Sequence, residues 1–431
     1  MENNKTIVQD DHSISLSRRK LLTATGIGLA TLPLMSKAAL AAGNGVTTTV
    51  APTASTPTLA KTAYGASTRQ GKINIVNLNL LEEQAKKVIP EAGYKFVSGA
   101  AGDEWTLREN RRAFDDYRIA SKRLVGLQAS DIDISTKLLD LTLPMPIMIA
   151  PMGVHGMVHE GTEILTAKGA GLAKTLYCSS GASHASLEEI ATATTGPKWF
   201  QLYYNKDEQV TRSLLTRAKN AGYSAIVLTA DALGPGQSDA FIAMGRPFRS
   251  DMVFGNHDPK RGGSGNFFAQ KTNLTVDDIK FIKDFTGLPV IIKGILRADD
   301  ADRFINAGAD AIQVSNHGGR QIDGVPASIT ALPAIAKAVN RRVPIILDGG
   351  VRRGIDIVRA VAMGADAVAV GRPMLYGLAM GGAEGVQSTL DWLANDLKTA
   401  MLLAGAGKLG DLNPNFIDIV GENARFNVNR G

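Results

Sequence analysis

Residues 345–373 read IILDGGVRRGIDIVRAVAMGADAVAVGRP and contain one complete repeat of strand and helix patterns. Residues 345–348 and 367–370 are short runs of almost continuous apolar character, which is typical of strands buried on both faces of a sheet. The segment between them, residues 355–363, has the pattern of a helix. A strand, a helix and a second strand in this order predict a parallel β-α-β unit.

The same unit recurs along most of the chain. Six more runs of strand type precede this stretch, with helical segments such as residues 187–195 between them, and one connection, residues 231–289, is longer than the rest. These runs are residues 147–150, 176–179, 199–203, 225–229, 290–293 and 311–315. Eight strands in such units favour a (β/α)8 TIM barrel over an open doubly wound sheet. The absence of a G-x-G-x-x-G motif after the first strand argues against a nicotinamide-binding Rossmann fold.

Composition excludes several classes of protein. With 431 residues, 44% of them hydrophobic and 20% charged, the chain has an ordinary globular composition. The formal net charge of +6 comes from scattered lysines and arginines without a dense basic tract, so we predict no nucleic-acid binding. A single cysteine, Cys178, excludes an intramolecular disulfide and a multi-cysteine metal cluster.

The N-terminal segment predicts export. Arg18 and Arg19 form a pair, residues 23–34 are weakly apolar, and small residues at 38–42 supply an A-x-A cleavage site. Residues 1–42 therefore resemble a twin-arginine signal peptide, which predicts a periplasmic protein exported in its folded state. The apolar run is too short for a stable membrane span. Residues 43–70, rich in Thr, Ala, Pro and Gly, predict a flexible linker, and residues 71–431 the barrel domain.

Polar side chains stand at the ends of the predicted strands. Because the active site of a barrel lies at the carboxyl ends of its strands, residues from different strands meet at one rim. Each residue alone has a structural explanation, such as a helix cap for Asp348, but their convergence predicts an active site. These residues are Gln201, Tyr203, Thr229, Asp231, Lys293, Ser315, His317 and Asp348.

His317 lies with Arg320 in the glycine-rich segment SNHGGRQIDG, residues 315–324. A histidine at a strand exit, with a pKa near neutrality, suits proton transfer. Two glycine–arginine segments, residues 349–354 and 370–373, follow the last two strands, where barrels commonly bind a phosphate. His155 and His159 have the spacing of a metal-binding pair, but no third ligand converges with them, so we predict no metal site.

A set of motifs carries a family resemblance. The motifs are GDEWTLREN (102–110), FQLY (200–203), IIKG (291–294), SNHGGRQ (315–321), LDGGVRRG (347–354) and AVGRP (369–373). In this order they resemble the FMN-dependent α-hydroxy acid oxidase and dehydrogenase family, that of glycolate oxidase and lactate oxidase, over residues 76–410. The resemblance implies an FMN-binding barrel that oxidises a 2-hydroxy acid, or a bulkier α-hydroxy carbonyl compound, to the 2-oxo product. It also implies dioxygen or a respiratory carrier as electron acceptor, and a homotetramer.

The resemblance also implies which residues hold FMN. The phosphate would lie on Gly350, Arg352, Gly371 and Arg372, and Lys293 would face the N1–C2=O side of the ring. Ser180, Gln201 and Thr229 would be the other ring contacts. The complete implied set is Pro151, Met152, Gly153, Ser180, Gln201, Thr229, Lys293, Ser315, Asp348, Gly350, Arg352, Gly371 and Arg372.

The substrate roles follow from the same resemblance. His317 would be the base that takes a proton from the substrate, and Asp231, at the neighbouring strand end, would orient its ring. Lys293 would stabilise the negative charge of the reduced flavin. Arg320 would bind the substrate carboxylate, and Tyr203 would donate a hydrogen bond to a substrate oxygen.

Three positions depart from the family pattern. Phe96 replaces a tyrosine, Ser238 replaces a second carboxylate-binding arginine, and Ala182 replaces a large aromatic residue. These changes predict a wider pocket and a substrate larger than glycolate or lactate. Gly153 stands where lactate oxidase-like sequences have alanine and where the lactate monooxygenase branch has glycine.

The residues leave other functions open. The alternatives to a hydroxy acid oxidase or dehydrogenase are a lactate monooxygenase-like enzyme, a non-redox FMN barrel of the isopentenyl diphosphate isomerase type, and a flavin-binding protein with impaired catalysis. The match of His317, Arg320 and Asp231 to the hydroxy acid pattern argues against the isomerase. The changes at Phe96 and Ser238 give some weight to impaired catalysis, but a flavin oxidoreductase is the leading hypothesis.

Overall fold

The computed structural model describes residues 64–234, 236 and 238–420. The predicted signal peptide and most of the predicted linker therefore lie outside the described residues. No helix in the described part of the chain is long and apolar enough to cross a membrane.

Helices and short strands come before the barrel. In chain order they are α1 (Leu78–Lys86), α2 (Glu91–Ser98), α3 (Trp105–Arg112), β1 (Tyr117–Ile119), β2 (Thr136–Leu138) and β3 (Leu141–Leu143). Strands β2 and β3 form an antiparallel hairpin. Strand β1 pairs with β12 (Ile417–Ile419) from the end of the described chain.

The barrel consists of alternating strands and helices. Its strands are β4 (Ile147–Ile149), β5 (Tyr177–Ser180), β6 (Lys198–Leu202), β7 (Ile226–Thr229), β8 (Val290–Ile295), β9 (Ala311–Val314), β10 (Ile345–Asp348) and β11 (Ala367–Val370). Its helices are α4 (Thr162–Leu172), α5 (Leu187–Thr192), α6 (Glu208–Asn220), α7 (Asp239–Ala243), α8 (Val276–Thr286), α9 (Ala298–Asn306), α10 (Ser328–Val339), α11 (Gly354–Ala362) and α12 (Arg372–Ala404). Helix α12 is interrupted by non-helical backbone at Gly381 and Gly382.

The eight strands form a closed parallel barrel in sequence order. Strand β11 closes it by pairing with β4, with Val368 opposite Ile147. The predicted (β/α)8 fold is confirmed, and each predicted strand lies within a few residues of an observed one. The long connection between β7 and β8 contains α7, two 3-10 turns and α8.

Side-chain alternation divides the core of the barrel into two layers. Met148 of β4 points to an inner cluster, whereas Ile147 and Ile149 pack in the larger cluster between strands and helices. Leu138 and Leu143 of the β2–β3 hairpin belong to the inner cluster. The hairpin thus fills the amino end of the barrel and leaves the carboxyl ends of the strands to form a site.

Helix α3 reaches the rim of the barrel at Gly350. Gly350 has φ +84°, and a Cβ atom built on it would overlap the carbonyl oxygen of Asn110 at the end of α3. Arg111 Nη1 donates a hydrogen bond to the carbonyl oxygen of Gly350. Glycine is required here both for the left-handed backbone and for the close approach of α3.

We expect Gly350→Ala to destabilise the protein strongly. Gly324→Ala is the matched control, because Gly324 has φ +85° and a Cβ there would meet nothing within 4 Å. Both variants incur the cost of a left-handed alanine, about 1–2 kcal/mol, and only Gly350→Ala adds an overlap costing about 1–3 kcal/mol more. Urea unfolding measures the difference, and equal midpoints for the two variants would contradict the close approach.

Candidate active site

A cavity of about 860 Å³ opens at the carboxyl ends of the barrel strands. Its size is typical of a small-molecule site. Three residues predicted to bind substrate, Tyr203, His317 and Arg320, line it. Most of the residues predicted to bind FMN line it as well: Pro151, Met152, Gly153, Lys293, Asp348, Gly350, Arg352, Gly371 and Arg372.

The remaining residues predicted to bind FMN are buried in the strand ends and do not line this cavity. Ser180 Oγ donates to Gln201 Oε1 at 2.9 Å, and Gln201 Nε2 donates to Thr229 Oγ1 at 2.8 Å. Ser315 Oγ donates to Asp348 Oδ1 at 2.7 Å. These hydrogen bonds fix the polar groups at the carboxyl ends of β5, β6, β7 and β10.

His317 occupies a tight turn directly after β9. His317 has φ +58°, and Gly318 and Gly319 follow at +64° and +76°. The His317 N–H donates to Ser315 Oγ at 3.0 Å. A left-handed backbone costs conformational energy for a histidine, so the surrounding structure must hold it in place. Strained residues of this kind cluster at functional sites.

The imidazole of His317 lies between a carboxylate and an ammonium group. Its Nδ1 is 3.0 Å from Asp231 Oδ1 and 3.4 Å from Lys293 Nζ, and Lys293 Nζ is 3.9 Å from Asp231 Oδ1. Because a carboxylate only accepts hydrogen bonds, Nδ1–H of the neutral ring donates to Asp231. The lone pair of Nε2 is then left for a substrate proton.

Asp231 and His317 do not come from neighbouring strands, so that part of the sequence prediction was wrong. They follow β7 and β9, and β8, which carries Lys293, lies between them. The curvature of the barrel nevertheless brings the two side chains into contact. The same curvature explains why the Lys293 ammonium group is close to both.

The surroundings of His317 favour its neutral form. Burial and the nearby Lys293 ammonium group lower the pKa of His317 below its ordinary value, although Asp231 opposes the shift. Burial alone would raise the pKa of Asp231, but Lys293 and His317 together hold it below its ordinary value. A neutral imidazole beside an ionised carboxylate is the state that a general base requires.

Arg320 presents part of its guanidinium to the cavity. Its Nη1 donates to the carbonyl oxygens of Phe96 at 2.7 Å and Gly99 at 2.9 Å. Nη2 and Nε have no partner in the described part of the chain, so two nitrogens with three N–H groups remain for a planar anion. Burial, with a smaller contribution from Asp231, raises the pKa of Tyr203, which therefore stays a hydrogen-bond donor at neutral pH.

The cavity has the charge that FMN requires. Burial lowers the pKa of Arg320 and of Arg352 to about 10, and it lowers the pKa of Arg372 as well. None of the ion pairs within the described residues includes these three arginines. Positive groups inside a cavity without carboxylate partners fit a phosphate and a carboxylate ligand.

The two predicted phosphate arginines differ in how they are held. Arg372 donates to the carbonyl oxygens of Val97 at 2.8 Å, Gly318 at 3.0 Å and Gly99 at 2.9 Å. Arg352 Nη1 donates only to Val351 O, at 3.0 Å, within the described part of the chain. Arg352 therefore has more unused donors for a phosphate, whereas Arg372 also holds α2 against the His317 turn.

The two histidines with metal-type spacing face different partners. His155 Nδ1 is 2.9 Å from Thr166 Oγ1, and His159 Nε2 is 2.9 Å from Arg69 O. Among the described residues, no group of three His, Cys, Asp or Glu side chains could hold a metal ion.

The cavity has an aromatic wall that was not predicted from the sequence. Phe96, Ala182 and Ser238, the three departures, line the cavity, and so do phenylalanines of the long β7–β8 connection. These are Phe241, Phe248, Phe254, Phe267 and Phe268. The signal was present in the sequence, since five of the chain's 13 phenylalanines lie within residues 241–268.

Comparisons with known proteins point to one family. Residues 85–419 match the family model of FMN-dependent dehydrogenases. An L-lactate oxidase of Lactobacillus jensenii is 42% identical over 355 residues, 81% of this chain and 86% of that protein. A peroxisomal (S)-2-hydroxyacid oxidase of Arabidopsis thaliana is 39% identical over 351 residues, 80% of this chain and 96% of that protein.

Solved structures give the same result. The crystal structure of a putative lactate oxidase of Pediococcus acidilactici has a TM-score of 0.78 and 43% identity, covering 82% of this chain and 97% of that chain. A mandelate oxidase with (S)-2-phenylpropionate has a TM-score of 0.73 and 35% identity, covering 79% and 97%. From the match to the family model and to these relatives, the chain belongs to the family of FMN-dependent dehydrogenases, and FMN is its cofactor.

Proposed function

We propose that this protein oxidises a 2-hydroxy acid to the corresponding 2-oxo acid. The observation that carries the proposal is the arrangement of His317, bonded to Asp231, in the same cavity as the unused donors of Arg320. An anion-binding fork next to a neutral base matches a substrate with a carboxylate beside a hydroxyl group. The relatives named above are lactate, 2-hydroxyacid and mandelate oxidases, and they do not support an isomerase.

Each residue has one task in this mechanism. Arg320 binds the carboxylate through Nη2 and Nε, and Tyr203 donates a hydrogen bond to a substrate oxygen. His317 Nε2 takes one of the two protons that the substrate loses, and Asp231 stabilises the imidazolium that results. Lys293 adds positive charge beside this pair. Bound FMN would supply the acceptor for the two electrons and for the second proton that the substrate gives up.

Anaerobic mixing of the purified holoprotein with 2-hydroxy acids tests the proposal. We expect the yellow flavin absorbance to bleach and one 2-oxo acid to form per flavin. A holoprotein that no 2-hydroxy acid bleaches would contradict the proposal and would favour a flavin-binding protein with impaired catalysis. Admitting air or a quinone afterwards distinguishes dioxygen from a respiratory carrier as the electron acceptor.

The pKa of His317 predicts the acid limb of the pH profile. Only the neutral base accepts a proton, so kcat/KM falls as the pH falls through the pKa of His317 in the folded protein. Because burial and Lys293 lower that pKa, we expect the midpoint of the acid limb to lie below the ordinary histidine value of about 6.5. Asp231→Asn removes the opposing interaction and should move the midpoint to lower pH. A wild-type midpoint above about 7 would contradict the arrangement.

We further propose that the chain is exported by the twin-arginine route, is cleaved near residue 42, and works in the periplasm as a homotetramer. The paired Arg18 and Arg19 and the A-x-A site support export, and the family resemblance supports the tetramer. Light scattering of the mature protein tests its oligomeric state.

Replacing both Arg18 and Arg19 by lysine should abolish export. The variant keeps the charge and removes the guanidinium pair, so we expect the protein to accumulate in the cytoplasm in its active, FMN-loaded form. Fractionation with activity staining measures this. Replacing Arg69 and Lys72, which lie outside the signal, is the control. An unchanged periplasmic yield of the double-lysine variant would reject the route.

A further inference from the structure

Two groups of aromatic rings line the cavity. The first aromatic cluster consists of Phe96, Phe241 and Phe248, with ring centroids 5.0–5.6 Å apart. The second aromatic cluster consists of Phe254, Phe267 and Phe268, in which Phe254 stacks on Phe267 at 4.1 Å. All these side chains face the same cavity as His317.

Each aromatic cluster is joined to a polar residue of the proposed mechanism. The guanidinium carbon of Arg320 lies 4.8 Å from the ring centre of Phe96, in the first cluster. The ring of Tyr203 meets the ring of Phe267, in the second cluster, edge to face at 5.6 Å. A substrate held by Arg320 and Tyr203 therefore meets aromatic surface next to both of its anchors.

Small residues leave room between the anchors and the rings. Ala182 lines the cavity, and its side chain, which packs against Gly153, ends at the Cβ atom. Ser238 is also in the lining, and its buried Oγ has no partner among the described residues. Larger residues at these positions would occupy space that is open here.

We propose that the enzyme selects 2-hydroxy acids whose α-substituent is an aromatic ring or a large branched alkyl group, bound between the two aromatic clusters. This inference rests on the proposed function, and it names the substrate class of that same site. A methyl group, as in lactate, would leave most of the ring surface in contact with water. An aryl or isobutyl group would cover that surface and exclude the water.

The expected preference is large enough to measure. One additional methylene in a hydrophobic pocket is worth about 10- to 200-fold in kcat/KM. We therefore expect kcat/KM to increase from glycolate to L-lactate and then to L-2-hydroxyisocaproate and L-3-phenyllactate. The ratio of phenyllactate to lactate should be at least about tenfold.

Matched phenylalanine variants assign the preference to the clusters. Phe248→Ala and Phe267→Ala each remove one ring from the cavity and should lower the phenyllactate-to-lactate ratio about tenfold. Phe285→Ala is the control, because Phe285 stacks on Phe281 at 5.8 Å and does not line the cavity. Its ratio should equal that of wild type. Phe248→Leu and Phe267→Leu, which conserve more volume, replace any alanine variant that fails to fold.

A binding measurement separates this inference from the proposed function. Calorimetric titration of wild type with 3-phenylpropionate and with propionate, neither of which can be oxidised, should give a dissociation constant at least tenfold lower for the aryl acid. If no hydroxy acid bleaches the flavin, the proposed function fails, and the titration still decides the preference of the pocket. Equal dissociation constants, or a lactate efficiency equal to that of phenyllactate, would overturn the inference and leave the proposed function intact.

Discussion

His317→Gln should lower the rate of flavin reduction by substrate about 10²- to 10⁴-fold, the usual effect of removing a general base. Glutamine keeps a hydrogen-bond donor near Asp231 but has no lone pair of suitable basicity for the substrate proton. The other residues predicted to bind FMN are untouched, so the variant should keep its FMN. Stopped-flow absorbance under anaerobic conditions measures the rate.

His257→Gln is the control for this variant. Its ring Nδ1–H donates one hydrogen bond, to the carbonyl oxygen of Ser264 at 2.9 Å, and His257 does not line the cavity. We expect the control to reduce its flavin as fast as wild type. If His317→Gln does the same, the base is another residue and the proposed mechanism is wrong.

The strands of the barrel could be predicted because their sequences carry a local signal. Runs such as residues 345–348 and 367–370 are buried on both faces, and such burial leaves almost no polar residue in the run. Polar residues then appear abruptly where a strand leaves the core, as at Asp348 and His317. The rim of the barrel is therefore visible in the sequence, and so are the polar residues at its strand ends.

Contacts between distant segments could not be predicted in the same way. Nothing local in the sequence places the ring of Phe96 against Phe241 and Phe248, because these residues come from α2 and from the long β7–β8 connection. The hydrogen bonds of Arg372 to Val97 and Gly99 were hidden for the same reason. Irregular connections have no periodicity, so their fold follows from packing that only the structure shows.

The departures from the family pattern take on a different meaning with the structure. The loss of the hydroxyl at Phe96 and of the guanidinium at Ser238 predicted weak binding of small substrates. The structure adds that Phe96 is the ring beneath Arg320 and part of an aromatic cluster. A site can lose polar contacts and still be specific when apolar surface replaces them. These substitutions are therefore also consistent with an active enzyme that binds a more apolar substrate.

Arg320→Met should lower kcat/KM for 2-hydroxy acids about 30- to 5,000-fold, because truncating one partner of a desolvated charge pair costs about 2–5 kcal/mol. The unbranched methionine side chain fills part of the same volume but cannot donate to the carboxylate. Arg320→Lys should retain part of the efficiency, since it keeps the charge and loses the planar fork. Steady-state kinetics with 2-oxo acid formation as the readout gives both values.

Arg297→Met is the control for a general effect of losing an arginine. Arg297 is exposed and pairs with Asp299 at 2.5 Å on the surface, and such ion pairs contribute little. Its kcat/KM should match that of wild type. Because Arg320 also donates to Phe96 O and Gly99 O, thermal unfolding and FMN content must be measured for each variant. If a folded, FMN-loaded Arg320→Met keeps wild-type kcat/KM, the carboxylate binds elsewhere, and Arg320 serves only to hold the end of α2.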